Sequence, residues 1–592
     1  MHDRDYKALR ERSRIPAAWL AAAILAVWYV GLFARGYWTP DEPREADIAW
    51  RMSWQADKAV PLLAGEAFCE KPPFTYWVSG VAIRAFGPAA WSARLPNLLY
   101  ALVTALAIGL VARRAAGTLA GFVAGAAMST FLLSYQVAIW LATDAPLLAA
   151  SAVALLGAYG GFYASTRRER LRSYTLMHAA LAVGFLSKSA VAWMVPALAI
   201  LSLAVWERRW RELVRWELYA GLLLQAVLIL AWVGSVYAGP DGAAQLKVFF
   251  WNNLAGRFTQ IDAPRELQYA SGHRNAPGKY FIEMPMYLWP WTLLVAAALR
   301  RAWLARHAPP EVLRPVRFAL AVALPALALL SLAATARNIY LAPALPGFAL
   351  LVGWWAREAA RQRDRWEVLA LRATAVLLIL AVIVLAAALC IAGTEWLQHP
   401  GLDLALAGVA LALAAGLALR AAVSAGTGGE GGARKELPHV LLMLVLAYGL
   451  SISVPAAVLY RSVDAWQNLA SIGRAVRADA SGRPLILMAP DETTRALIDL
   501  YASTDVELIG APIDAAAIAR LRERLAAEPR ALVVAQLPGR ELVGSLRRLA
   551  ERFGRESALD REPVPGWILA ARLRIVHRYA LPNGRRYVLL EA

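Results

Sequence analysis

Thirteen stretches of this chain are apolar enough to cross roughly 30 Å of hydrocarbon, allowing for tilt and for shorter helices packed inside a bundle. They lie near 16–35, 95–113, 115–133, 143–164, 174–187, 190–206, 217–237, 283–303, 315–334, 338–356, 368–392, 402–423 and 437–459. With 592 residues, 59% of them hydrophobic, the chain is too long for one soluble domain and too apolar for several. The expected fold class is a polytopic α-helical membrane protein.

A net charge of +19 would fit nucleic-acid binding if it were gathered on one soluble face. Instead the basic residues sit in short loops: Arg113-Arg114, Arg167 to Arg172, Glu207 to Arg211, Arg300-Arg301, Arg357 to Arg365 and Arg434-Lys435. These loops fall on alternate sides of the spans, on the side of the N-terminus, which the positive-inside tendency makes cytoplasmic. The charge marks topology, and no nucleic acid is implied. Loops 37–94 and 238–282, and everything after about Tyr460, are then expected outside the cytoplasm. Two cysteines, Cys69 and Cys390, exclude a disulfide framework and a Cys-based zinc site.

From about Arg461 the composition changes. Apolar runs at 484–488 and 531–535 alternate with helical patterns at 491–503, 513–526 and 540–553, followed by strand-like 572–578 and 586–590. This divides the chain into a transmembrane domain, 1–460, and a C-terminal soluble α/β domain, 461–592. A Gly-rich stretch, Ser424 to Gly432, reads as a flexible connection.

The first outer loop is a charged, Pro- and Trp-rich island. Asp41, Glu42, Arg44, Glu45, Asp47, Arg51, Glu66, Glu70 and Lys71 stand among Trp38, Trp50, Trp54, Tyr76 and Trp77, a mixture suited to the lipid–water boundary. Glu42–Trp54 and Pro73–Phe86 are expected as short interfacial helices. Asp41 is either a helix cap or an active-site carboxylate, and Asp144, at the outer end of the fourth span, carries the same two readings. Only seven of 62 basic residues are lysine, so Lys71 and Lys188 are exceptions at outer membrane edges. Each is either a snorkelling side chain or a point charge for a phosphate oxygen. Arg337 and Tyr340, three apart at the start of the tenth span, share a face and are an interface pair or an anion clamp. Glu70 with His273 could bind zinc or manganese, carboxylate and imidazole being acceptable ligands to both.

Pro40-Asp41-Glu42-Pro43-Arg44, Glu70-Lys71-Pro72-Pro73 with Tyr76-Trp77, Ala93-Arg94-Leu95-Pro96, Thr143-Asp144-Ala145-Pro146, Lys188 and Tyr340-Leu341-Ala342-Pro343 together resemble the GT-C membrane glycosyltransferases. The resemblance is to the lipid A aminoarabinose transferase and protein O-mannosyltransferase-like superfamily, and it covers about the first 360 residues. It implies a bundle of about thirteen helices, interfacial helices in the first outer loop and a periplasmic C-terminal domain. The implied activity is transfer of a sugar from a polyprenyl-phosphate donor to lipid A or a related glycolipid, by a monomer in the bacterial inner membrane. Asp41 and Asp144 would be the acidic active-site residues, Lys71 would meet the donor phosphate with Arg337 and Tyr340, and Glu42, Arg44 and Lys188 are further candidates. Where the family often has two basic residues before its Tyr, this chain has Ala336-Arg337. The alternatives are transfer to protein Ser or Thr, and a transporter or flippase of a lipid-linked sugar, which predicts broken helices and deep ionisable residues.

Overall fold

A computed structural model describes residues 31–254, 276–332, 337–395, 400–426, 433–502, 506–537, 565–581 and 585–592. Five expectations lie wholly or mostly outside the described residues: the first span at 16–35, His273, Ala336, the glycine-rich connection beyond Gly426 and the helix at 540–553.

Each of the other twelve apolar stretches is helical. Among the described residues eight helices are long and apolar enough to cross a membrane, or ten if two bent pairs each count as one span. Of the thirteen expected spans the first lies mostly outside the described residues, and two others make up the rest of the difference. Val191–Trp206 is short, and Arg167–Lys188 opens on an arginine-rich turn. The bent pairs are Thr118–Thr130 with Leu132–Ile139, turned by 62°, and Lys279–Tyr287 with Thr292–Leu304, turned by 113°.

The two bends meet. The Leu132 N–H donates to the Trp289 carbonyl (2.9 Å) and the Trp291 indole to Thr130 Oγ1 (2.7 Å). Backbone groups released by each break therefore find partners in the other, as a low-dielectric surrounding requires. Helix contacts elsewhere are made by small residues: a Cβ on Gly157 or Gly347 would come within 2.5 Å of a carbonyl on the facing helix.

The Arg167–Lys188 helix supplies a ruler. Its 22 residues span ~33 Å. At its start Arg170 faces Glu212 and Glu217, and at its end Lys188 meets Asp144. Near the first end lie Arg209 with Glu212, and at other helix ends Arg301 with buried Glu367 and Arg300 with Asp364.

The island folds as two helices, Asp41–Trp54 and Phe74–Phe86, with a short antiparallel ribbon, Leu62–Leu63 on Glu66–Ala67, between them. Gly80 lies where the helices cross, with backbone of Ala49 and Met52 about 3.1–3.2 Å from where a Cβ would be. The Trp232 indole donates to the Ala59 carbonyl and the Asn253 amide to that of Glu70, so the seventh span and the second outer loop both pack on the first loop.

After the long helix Ala433–Gln467 the chain forms a five-stranded sheet in the order Val506–Ile509, Leu485–Met488, Leu532–Leu537, Arg586–Glu591, Arg574–Ala580. The first three strands are parallel and the last two antiparallel to their neighbours. Residues Leu485 to Met488 of the interior second strand are all buried, as a sheet covered on both faces demands. The Glu492–Tyr501 helix, which follows Leu485–Met488, faces the Asp41 helix.

Candidate active site

Asp41 and Asp144 each occupy the first turn of a helix, yet neither caps it: the N-cap positions are Pro40 and Thr143, and no side-chain cap bond is made at either. Both carboxylates turn to cations instead. Arg337 Nη1 donates to both oxygens of Asp41 (2.9 and 2.8 Å), and Lys188 Nζ to Asp144 Oδ1 (2.5 Å). The Lys188 ammonium also lies 4.6 Å from the centre of the Tyr340 ring, a cation–π distance.

A second set adjoins Asp41. Arg44 reaches Asp41 (3.3 Å), Glu45 (3.0 Å) and Glu492. Buried Glu45 in turn accepts from Lys71 and from the Tyr76 hydroxyl (2.9 Å). Burial alone would raise the Glu45 pKa, but Lys71 and Arg44 outweigh it and bring it to about 2. Arg44 is held well above its ordinary value because carboxylates on several sides outweigh its burial.

The segment at 337–340 joins the two sets. The Tyr280 hydroxyl donates to the Arg337 carbonyl, Arg337 pairs with Asp41, and Tyr340 covers Lys188. The structure thus brings Lys71, Arg44, Asp41, Arg337, Tyr340, Lys188 and Asp144 into one connected network, although Asp41 and Asp144 make no direct bond.

Residues 70–234 match the family described as dolichyl-phosphate-mannose-protein mannosyltransferase. The chain is 31% identical over 381 residues to the undecaprenyl phosphate-α-4-amino-4-deoxy-L-arabinose arabinosyl transferase of Pseudomonas paraeruginosa, covering 61% of this chain and 62% of that one. It is 31% identical over 338 residues to the same transferase of Pseudomonas aeruginosa PAO1, covering 55% and 57%. The chain thus spans about three fifths of the length of these curated relatives. Against the crystal structure of ArnT from Cupriavidus metallidurans bound to undecaprenyl phosphate, the TM-score is 0.67 over 97% of both chains, at 19% identity. The chain has the ArnT fold. The apo structure of the same protein gives 0.66.

Within this ArnT-like fold Glu42 departs from the role expected for it. Its carboxylate is fully buried and accepts from Arg35 (3.0 Å), from Arg94 (2.9 and 3.0 Å), and from the backbone N–H groups of Trp38 and Leu141 (2.9 Å each). Arg35 and Arg94 outweigh burial and lower its pKa to about 2. With its lone pairs occupied away from the Asp41 network, Glu42 ties the first outer loop to the bundle and is unsuited to meeting substrate.

Three residues of the network escaped sequence reading as site residues. Glu45 follows Asp41 by one helical turn, a spacing that would have placed both on one face. Tyr280 and Glu492 carried no local signal. Of the expected metal pair, Glu70 lies beside this network, where its charge raises the pKa of Arg44 and Tyr76, while His273 is outside the described residues. Among the described residues no group of three His, Cys, Asp or Glu side chains gathers to hold a metal ion.

Proposed function

We propose that this protein transfers a sugar from a polyprenyl-phosphate donor to an outer-leaflet glycolipid: in the form its relatives support, 4-amino-4-deoxy-L-arabinose from undecaprenyl phosphate to lipid A. The observation that carries the reading is the network in which Asp41 is gripped by Arg337 while Lys71 stands on buried Glu45 beside it. In the transfer, the bond between the anomeric carbon and the phosphate oxygen breaks, its electron pair stays on the lipid phosphate, and an acceptor oxygen bonds to the sugar.

Each half of that step has a suitable group. The departing phosphate gains negative charge, which Lys71 and Arg337 stabilise in a site held by fixed partners. Arg337 spends only Nη1 on Asp41 and is 55% exposed, so its remaining donors are available to a phosphate. The anomeric carbon gains positive charge, which Asp41 or Asp144 stabilises. A hydroxyl acceptor would need one of these carboxylates as base, whereas a phosphate acceptor is already ionised and needs only positioning.

The proposed setting is the bacterial inner membrane, with the N-terminus cytoplasmic and the network and the C-terminal domain periplasmic. Separation of the Arg170 and Lys188 ends by the length of one helix supports this orientation, as does the basic character of the first end. The protein is proposed to act as a monomer. The match of residues 70–234 to a protein mannosyltransferase family favours a second reading, with protein Ser or Thr as acceptor. The bent helix pairs are a feature a flippase would share, but the paired charges gather at helix ends, which favours an enzyme.

With undecaprenyl phosphate-4-amino-4-deoxy-L-arabinose and lipid A supplied to purified protein, Asp41→Asn and Lys71→Ala are expected to fold and to lose at least roughly a hundredfold in turnover. Full turnover by either removes its role, and mass spectrometry of lipid A and of membrane proteins from cells with and without the gene decides the acceptor. A divalent ion on Glu70 and His273 is also proposed. The described residues supply only Glu70 to it, so no step is routed through the ion. Metal analysis before and after chelation, with a Glu70→Gln comparison, is expected to show one ion lost in both cases, and an unchanged metal content would end that proposal.

A further inference from the structure

The Asp41 helix is held from outside the membrane bundle. Arg44 ends on Glu492, at the start of the Glu492–Tyr501 helix. The next residue, Thr493, donates its hydroxyl to the carbonyl of Pro40 (2.9 Å), the N-cap of the Asp41 helix. Two turns further along, Arg51 forks onto Asp499, and in between Arg495 reaches to Glu66 on the ribbon. The two helices are therefore joined along their whole contact, but only the first two contacts fall at the end that carries Asp41.

Their chemistry differs from that of the outer pairs. Arg44 is mostly buried, at 12% exposure, and its guanidinium is shared by three carboxylates: Asp41, Glu45 and Glu492. Two of these stand on the Asp41 helix and take Nη2, and the third comes from the C-terminal domain and takes Nη1. Without Glu492, Arg44 would be drawn onto Asp41 and Glu45, competing with Arg337 for the first and with Lys71 for the second. We propose that Glu492, with Thr493, is a positioning residue for glycosyl transfer, acting through Arg44 to set where Asp41 and Glu45 hold their charges. On this view the C-terminal domain completes the site instead of only standing over it. The inference rests on the transferase reading given above.

The test compares Glu492→Gln, Thr493→Val and Glu66→Gln in the full chain. Glu66→Gln is the control, since it cuts the Arg495 contact from the same C-terminal helix to the ribbon of the first outer loop, is exposed, and leaves Arg44 untouched. Two readouts are taken: turnover with undecaprenyl phosphate-4-amino-4-deoxy-L-arabinose and lipid A, and amide hydrogen exchange over residues 41–54.

Glu492→Gln is expected to lower kcat roughly tenfold to a hundredfold, the cost of a displaced reacting geometry, with the donor KM moved less than threefold. Exchange is expected to speed up at the first turn, 41–46, but not at 50–54. Thr493→Val should follow in the same direction, and Glu66→Gln should match wild type in both readouts. Wild-type exchange over 41–46 in Glu492→Gln, or an equal loss of turnover in Glu66→Gln, overturns the proposal. Absence of transfer by the wild-type protein would count against the transferase reading alone, since the exchange comparison judges the Glu492 contact without it.

Discussion

Glu42→Gln separates two roles that adjoining carboxylates could share. The Glu42 carboxylate receives six donors, three on each oxygen: Arg35 Nη2, Arg94 Nε and the Leu141 N–H on Oε1, and Arg35 Nη1, Arg94 Nη2 and the Trp38 N–H on Oε2. An amide keeps one acceptor oxygen but turns an NH2 toward the other three donors. Both guanidiniums are fully buried, so neither can recover the loss in water. Removing one partner from a buried ion cluster costs about 3–5 kcal/mol. The matching change next door, Asp41→Asn, loosens a pair in which Arg337 is 55% exposed, and such pairs are worth about 0–1 kcal/mol. The assay is the apparent Tm of each purified variant in detergent, followed down in pH. Glu42→Gln is expected to lose much of its thermal stability, and Asp41→Asn to keep nearly all of its own. The sign with pH follows from the lowered Glu42 pKa. Its stabilisation is full above the ordinary value near 4.5 and lost as pH falls toward about 2, so wild type and Glu42→Gln should converge over that interval. Equal Tm losses for the two variants, or a difference that does not shrink in acid, would refute the reasoning.

Other perturbations follow from the same geometry. Asp47 is buried beside Asp499, and burial first, then that neighbour, raise its pKa well above 3.8. A raised acid pKa means stability that is present below 3.8 and lost as pH rises through the folded value. Asp47→Asn, always neutral, should therefore have a higher apparent Tm than wild type at pH 8 and lose that advantage toward pH 4. A variant less stable by the same margin at every pH would contradict this. Lys188→Met and Asp144→Asn, alone and together, should show coupling of about 0.5–3 kcal/mol by denaturation, the range for directly bonded residues, and additive effects would mean that the pair carries no net interaction.

Much of this site was legible because it is written in unusual residues. Lysines are scarce in the chain, and two of the seven, Lys71 and Lys188, stand in the network. The pairings were not legible. Asp41 and Arg337 are 296 positions apart and Arg44 and Glu492 are 448 apart, so no local pattern joins them. Nor could sequence say which of Asp41 and Glu42 faces the network. Consecutive helix residues point about 100° apart, so one carboxylate of the pair enters the core and the other does not, and only the packing of Arg35 and Arg94 decides which. The bends at 131 and 288–291 were hidden for a related reason: hydropathy registers apolar length, while a break depends on backbone partners supplied by another helix.

Those two breaks also bear on how the bundle tolerates change. Since the Leu132 amide and the Trp289 carbonyl satisfy one another, neither helix can be straightened alone without leaving a backbone group without its partner. The discontinuities form a single inherited unit, to be kept or lost together. Across related chains, residues near 130–132 and 289–291 should accordingly vary in concert, and a chimera that takes one elbow without its counterpart should fail to insert correctly.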